Sequence, residues 1–404
     1  MAWYVGIDWA TRTHAGAVVG DDGTPPQRFT VRHTGQDLAQ LVDRLATLAQ
    51  TDVVPLALER PEGRLARLLL ATGHPVHVIN PKAVTRYRDR WSSSGAKADP
   101  TDAEVLAHVL RTDLPRHPAL PPSRPAAQQL ARLVRDRPQG IALRTQRLNQ
   151  LRAKLEDYYP AALTVFANLA QPITLAFLAA YPSPPPLAAV TETAWRAFLR
   201  QHRSPHARAP LLWQRVQAAA IPDAGDLSAS YEPGMRLVLG QLQALLPSLH
   251  ALEQQIARVF QAHPDAPLFA SLPGAGPVIA AELLAGLGDA RARYTTVDHL
   301  RAEAGPAPVT RQSGTWRAVP LRRACNRRLR QTFQQLARQR VRQSAWARAS
   351  YDAHRPRGQS ASRAARGLAD QWLRVVWRMW IDRPPYDATF HLARWTARQA
   401  PKAA

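Results

Sequence analysis

The order of apolar segments in the first eighty residues constrains this chain more than any other feature. Trp3 to Val19 reads as a strand, a turn and a second strand; Gly20-Asp21-Asp22-Gly23 is the next turn, and Arg28 to Arg32 a third strand, together a β-meander. A helix follows around Asp37 to Ala49, with Leu38, Leu41, Leu45 and Leu48 at helical spacing. Val53 to Leu58 is a buried-strand run, Glu62 to Ala71 an amphipathic helix opened by Pro61, and His74 to Ile79 a further strand closed by Asn80-Pro81.

Three antiparallel strands, then helix, strand, helix, strand, is the order of a ribonuclease H-like α/β domain, in which the first and fourth strands are neighbours. Asp8 closes the first of these, in Gly6-Ile7-Asp8-Trp9-Ala10, and Glu59 closes the other, in Leu56-Ala57-Leu58-Glu59, so the two carboxylates should meet at one sheet edge. Asp99 and Asp102 stand three apart in Lys97-Ala98-Asp99-Pro100-Thr101-Asp102-Ala103, at the start of a helix through Leu110, a spacing that shares a helix face. Mg²⁺ prefers hard oxygen ligands, and two such ions can stabilise both the attacking and the leaving oxygen at phosphorus. Each acid alone has a bland alternative: a turn residue for Asp8, a surface charge for Glu59, a helix N-cap for Asp99 or Asp102. Jointly they point to a site, because ending a buried strand in charge is costly without a partner.

A chain of 404 residues is too long for one ordinary compact core, so two domains plus connecting structure are expected. The 53 Lys and Arg against 30 Asp and Glu leave a formal net charge of +23, which seeks a polyanion. The cations are overwhelmingly Arg, as a GC-rich coding bias would give, but such a bias does not explain their excess over acids. Cys325 is the single cysteine, which excludes an internal disulfide and a thiolate metal cluster and fits a reducing compartment. No apolar run approaches membrane-spanning length and no basic-then-apolar leader opens the chain, so a soluble, cytoplasmic protein is expected.

Beyond the Pro-rich segment Pro115 to Pro125, residues Ala126 to Tyr159 and Met235 to Phe260 carry Leu at helical spacing, the first interrupted at Pro138. They predict a central helical arm, either coiled coil or antiparallel, with two helices of an ordinary bundle as an equal alternative. Between them, residues 170–227 read as a small or irregular insertion. The expected division is thus 1–125, 126–264 and 265–404, the last mainly helical. It opens with Leu272-Pro273-Gly274-Ala275-Gly276-Pro277, where Gly274 and Gly276 would let backbone N–H groups approach a phosphate, as in a helix-hairpin-helix segment.

From Arg311 to Ser350 there is no acidic residue, while Arg317, Arg322, Arg323, Arg327, Arg328, Arg330, Arg338, Arg340, Arg342 and Arg348 recur. A one-signed run reads as a phosphate-tracking surface rather than a solvated helix face. Arg311, Gln312 and Arg317 flank Ser313-Gly314 and could hold a phosphate there, although Ser-Gly alone is an ordinary turn pair. Trp346, Trp372, Trp377 and Trp380 could stack on bases; helical spacing makes the last three core residues instead.

These motifs together resemble the IS-one-ten (IS110) family of insertion-sequence transposases. The resemblance is carried by Gly6-Ile7-Asp8, Glu59, Val78-Ile79-Asn80-Pro81, Lys97-x-Asp99-x-x-Asp102-Ala103, Leu272 to Pro277 and Ala304 to Gly314. It covers most of residues 1–110 and about 265–380. It implies a RuvC-like domain whose Asp-Glu-Asp-Asp site is Asp8, Glu59, Asp99 and Asp102 binding Mg²⁺, a C-terminal domain whose nucleophile is Ser313, and DNA as donor and target. It also implies a guide RNA from the element and a homo-oligomer, dimer or tetramer. Ala98 stands where Thr is usual, and Gly305-Pro306 replaces the commoner Gly-Leu. The competing expectations are a junction nuclease that uses water, and a non-catalytic nucleic-acid-binding protein.

Overall fold

The computed structural model describes residues 2–50, 52–91, 98–121, 123–205, 209–219, 228–307, 309–320, 322–354 and 360–399; the motif residues Lys97 and Pro308 lie outside these. The chain folds as two compact units, Met1–Pro122 and Ser123–Ala404.

The first unit contains, in order, β1 (Trp3–Asp8), β2 (Thr13–Gly20), β3 (Gln27–Arg32), α1 (Gly35–Ala49), β4 (Leu56–Leu58), α2 (Arg64–Ala71), β5 (Val76–Val78), α3 (Pro81–Arg88) and α4 (Asp99–Asp113). One sheet has the order β3-β2-β1-β4-β5. The meander pairs antiparallel, while β4 runs parallel to β1 and β5 parallel to β4, the order expected of a ribonuclease H-like domain. Alternation sorts the side chains by face. Val5, Ile7, Leu56 and Leu58 share a core with Leu38, Leu41, Leu45, Leu65 and Leu69 of α1 and α2. On the other face Ala57 packs with Val84 of α3 and Val105, Leu106 and Val109 of α4, and Ala15 and Ala17 lie beneath Ala103.

Local chemistry sets the helix starts. Thr34 caps α1, its hydroxyl accepting from the Asp37 N–H at 3.2 Å, and hydrogen bonds first from Arg32 and then from Thr34 hold the Asp37 carboxyl down at about 2. Asn80 caps α3 ahead of Pro81. Pro61 does not open α2, as the sequence suggested. The chain first turns out of β4 through a loop ending at Gly63, whose φ of 108° only glycine adopts readily, and the helix begins at Arg64.

The second unit begins with α5 (Pro125–Tyr158), continues through α6 (Ala162–Val165), α7 (Pro172–Ala180), α8 (Pro184–Ala188), α9 (Glu192–Gln201) and α10 (Ala209–Ala219), and returns through α11 (Ser228–Gln261). α12 (Ala266–Ala270), α13 (Pro277–Leu287), α14 (Val297–Ala304), the hairpin β6 (Arg311–Ser313) and β7 (Trp316–Ala318), α15 (Arg327–Arg340), α16 (Ala345–His354), α17 (Ala361–Asp382) and α18 (Ala388–Gln399) follow.

Two separate cores anchor α5 and α11 in opposite senses. Leu130 of α5 joins Ile256 and Phe260 of α11 in one; Leu151 and Leu155 join Met235, Val238, Leu239 and Leu242 in the other. The helices are therefore antiparallel partners within one chain, each of 34 residues and about 50 Å long. Pro138 does not interrupt α5. A proline inside a helix costs about 3 kcal/mol; beside it, Arg137 bridges Glu253 at 2.7 Å and Glu282 at 3.1 Å, tying α5 to α11 and α13. The insertion between the arms is a helical cap that shares the second of these cores, where Phe166 meets Phe177, and Phe177 meets Trp195, edge to face. The other core belongs to the last third, where Trp346, Trp372 and Trp380 are buried.

Candidate nucleic-acid and carboxylate site

Register brings the acids of the first unit toward one place. Gly6 pairs with Ala57 and Ile7 with Leu58, so Asp8 and Glu59 are the next residues of two adjacent parallel strands, whose backbones are about 4.8 Å apart. Asp8 lies two residues beyond Gly6, and Glu59 two beyond Ala57, so both belong to the sheet face that α4 covers. Gly6 fixes how close that helix comes: a Cβ there would collide with the Ala103 carbonyl oxygen and stand 2.5 Å from the Ala107 nitrogen. With α4 seated directly on the sheet, its first turn carries Asp99 and Asp102 to the end where β1 and β4 finish.

The acids differ in setting. Asp8 and Glu59 are half-buried, Asp99 is exposed, and Asp102 is 1% exposed. Neither Asp99 nor Asp102 is the N-cap of α4; Ala98 occupies that position without a side-chain cap bond. Asp102 instead lies 2.8 Å from Nη2 of Arg88 at the end of α3, a partner that no spacing in the sequence announces. Among the described residues no three His, Cys, Asp or Glu side chains are grouped closely enough to hold a metal ion. The four carboxylates are hard oxygen donors of the kind Mg²⁺ takes, while Asp99 is exposed and Asp102 is directed to a guanidinium.

At the same end of the sheet, on its opposite face, His14 is fully buried. It accepts the Ala10 N–H at Nδ1, and its Nε2 lies 2.8 Å from His33 Nδ1. Burial, then the neighbouring His33, pushes the His14 pKa down. Sequence reasoning passed over this pair.

In the second unit Ser313 ends β6 opposite Trp316. Gly314, with φ of 56°, is the first of two turn residues, the pattern of a type II′ hairpin. Residues 311–317 are all exposed, Trp316 at 57%. Alternation puts Arg311 and Trp316 on the face of Ser313, and Gln312 and Arg317, which pair with each other, on the opposite face. Only Arg311 of the three expected phosphate holders therefore shares a face with the serine.

The arginine run divides as well. Arg323, Arg327 and Arg328 are exposed. Arg330 turns inward, its Nη2 donating to the Arg322 carbonyl and its guanidinium lying against Gly305, while Arg322 donates from Nε to the Ala307 carbonyl at 3.4 Å. These two brace the turn after α14. Gly274 and Gly276 form an exposed turn between α12 and α13; Gly274 has φ of 59° and Gly276 precedes α13 without a side-chain cap bond.

Fold and site define an α/β domain of ribonuclease H-like strand order, with acids at one sheet edge, in a chain whose second unit is helical and rich in arginine. A family model described as a transposase matches residues 5–160, and another, described as "Transposase IS116/IS110/IS902 family", matches 266–352. The "Mini-circle putative transposase for IS117" of Streptomyces coelicolor is 33% identical over 92% of this chain and 92% of its own length. An IS900 insertion-element protein of Mycobacterium paratuberculosis is 28% identical over 98% of each chain, and an IS110 insertion-element protein of Streptomyces coelicolor 28% over 95% of each. Among solved structures, T. thermophilus RuvC in complex with Holliday junction substrate is similar at 14% identity and a TM-score of 0.22, covering 30% of this chain and 100% of that one. The chain belongs to the IS110 family of insertion-sequence transposases.

Proposed function

We propose that this transposase cuts and rejoins DNA through a covalent link between Ser313 and a DNA phosphate, with Asp8, Glu59, Asp99 and Asp102 as ligands of Mg²⁺. What supports this reading is the adjacency of the β1 and β4 ends, which sets Asp8 beside Glu59 on the sheet face that α4, with Asp99 and Asp102 in its first turn, covers. Bound there, Mg²⁺ would neutralise charge on the phosphate under attack. Ser313 Oγ forms the new ester bond to phosphorus as its proton is lost, and the bond from phosphorus to the departing sugar oxygen breaks, that oxygen leaving with a proton. Arg311, on the same hairpin face, holds the phosphate, and the exposed Trp316 offers a stacking surface beside it. Arg317, Arg323, Arg327 and Arg328, with Gly274 and Gly276, contact backbone phosphates elsewhere. Rejoining requires several copies of the chain on paired DNA ends, and the net charge of +23 suits a guide RNA as well as DNA. The reaction takes place in the cytoplasm.

The test uses purified protein, Mg²⁺ and end-labelled DNA carrying the element's ends. Wild type should trap a covalent protein-DNA product that Ser313→Ala lacks, and Asp8→Asn and Glu59→Gln should lose strand transfer while retaining DNA. Cleavage by Ser313→Ala at the wild-type rate would replace this reading with a nuclease that uses water.

A further inference from the structure

Arg340, at the end of α15, is fully buried, yet among the described residues its Nε and Nη2 have no hydrogen-bond partner. Its Nη1 donates to Gln343 Oε1 at 2.5 Å, the one side-chain bond it makes among the described residues. No acidic residue occurs from Arg311 to Ser350, and the influences on this guanidinium are burial, which pushes its pKa down to about 10, and the Tyr386 phenol. A buried cation without a paired anion is among the costliest groups a fold can hold. Beside it lie the exposed Gly274 turn, the exposed Gln343 side chain and Tyr386. A Cβ at Gly274 would collide with Gln343 Oε1 and stand 2.7 Å from Arg340 Nη1, so only glycine leaves this approach open, and its φ of 59° suits no other residue as well. The same turn leads into the uncapped N-terminus of the 11-residue α13, whose first N–H groups and dipole favour an anion.

We propose that Arg340, the Gly274 turn and the start of α13 form a built anion site that takes one phosphate of the DNA backbone when the Gln343 side chain swings aside. The site rests on the reading of the chain as a DNA-cutting enzyme and deepens it, since it fixes the register of the strand rather than performing chemistry. Gln343 acts as a stand-in acceptor in the free protein. The phosphate replaces it and supplies the oxygens that Nη1, Nη2 and Nε require together.

The test measures affinity of the full chain for duplex DNA over a salt series. Each phosphate neutralised contributes about 0.9 to the slope of log affinity on log salt. Arg340→Met should reduce the slope by about that amount without loss of thermal stability, because it removes an unpaired buried charge. Gln343→Glu, at an exposed position in the turn after α15, should supply an internal carboxylate, raise the melting temperature and cost the same increment, whereas Gln335→Glu, exposed on α15 itself, should change neither by as much. An unchanged slope in Arg340→Met and Gln343→Glu, with wild type still salt-dependent, overturns the site alone. A change on duplex RNA and none on DNA overturns it also. Salt-independent binding by wild type would instead remove the functional reading beneath it.

Discussion

Arg88 reaches from the end of α3 to set its Nη2 2.8 Å from Oδ1 of Asp102, an acid with 1% of its surface exposed. The pair ties α3 to the first turn of α4, and so fixes one candidate metal ligand through a residue outside the acidic set. Breaking a buried ion pair by removing one member costs about 3 kcal/mol. Arg88→Met should therefore lower the urea midpoint of the N-terminal unit clearly, and an unchanged midpoint would show the pair to be structurally idle.

Gly6→Ala is expected to act at a distance. The new Cβ meets the backbone of α4 at Ala103 and Ala107, where neither side can yield, so overpacking of about 2 kcal/mol and a displaced Asp102 follow. Strand transfer should fall at least tenfold with a lower melting temperature. Gly35→Ala, whose new Cβ meets nothing nearer than 3.8 Å, is the control that should do neither.

Acid should loosen the first unit. His14, His74, His108 and His117 all have pKa values pushed below 6.5, burial being the largest cause in each. The unfolded chain then binds more protons than the folded one as pH falls below 6.5. Stability is thus at its full value above that pH and is lost as pH drops through the depressed folded values. Urea unfolding between pH 7.5 and 5 should show that decline, and His14→Gln should make it shallower. A flat profile would mean that these rings are not desolvated in solution.

Salt dependence should separate the arginines by their placement. Arg327→Gln with Arg328→Gln removes two exposed cations, and should flatten the slope of log affinity on log salt by about 1.8. Arg330→Gln should leave the slope near its wild-type value and lower stability, because Arg330 braces the Gly305 turn. The reverse pattern would move the DNA face to the inner side of α15.

Ser313 and the acids belong to different units, which leaves open a centre shared between copies of the chain. Asp8→Asn protein mixed with Ser313→Ala protein should then recover part of the strand cleavage that each lacks. No recovery from demonstrated mixed oligomers would assign both halves of the centre to one chain.

The sequence alone was enough for the strand order of the first unit, because alternation, helical spacing and turn residues are local signals and each segment carries its own. The adjacency of the strand ends that Asp8 and Glu59 close followed from that order, since parallel neighbours end together. Other relations were decided only by packing between distant segments. Nothing near Arg88 or Asp102 marks them as a pair, and the N-cap that Asp102 resembled in sequence is Ala98 in the fold. Pro138 looked like a break, yet α5 continues through it, and the neighbouring Arg137 is held by acids more than a hundred residues away. The inward turn of Arg330 and the burial of Arg340 were equally hidden, because composition gives the sign of a charge while only tertiary structure gives its solvent exposure and its partner.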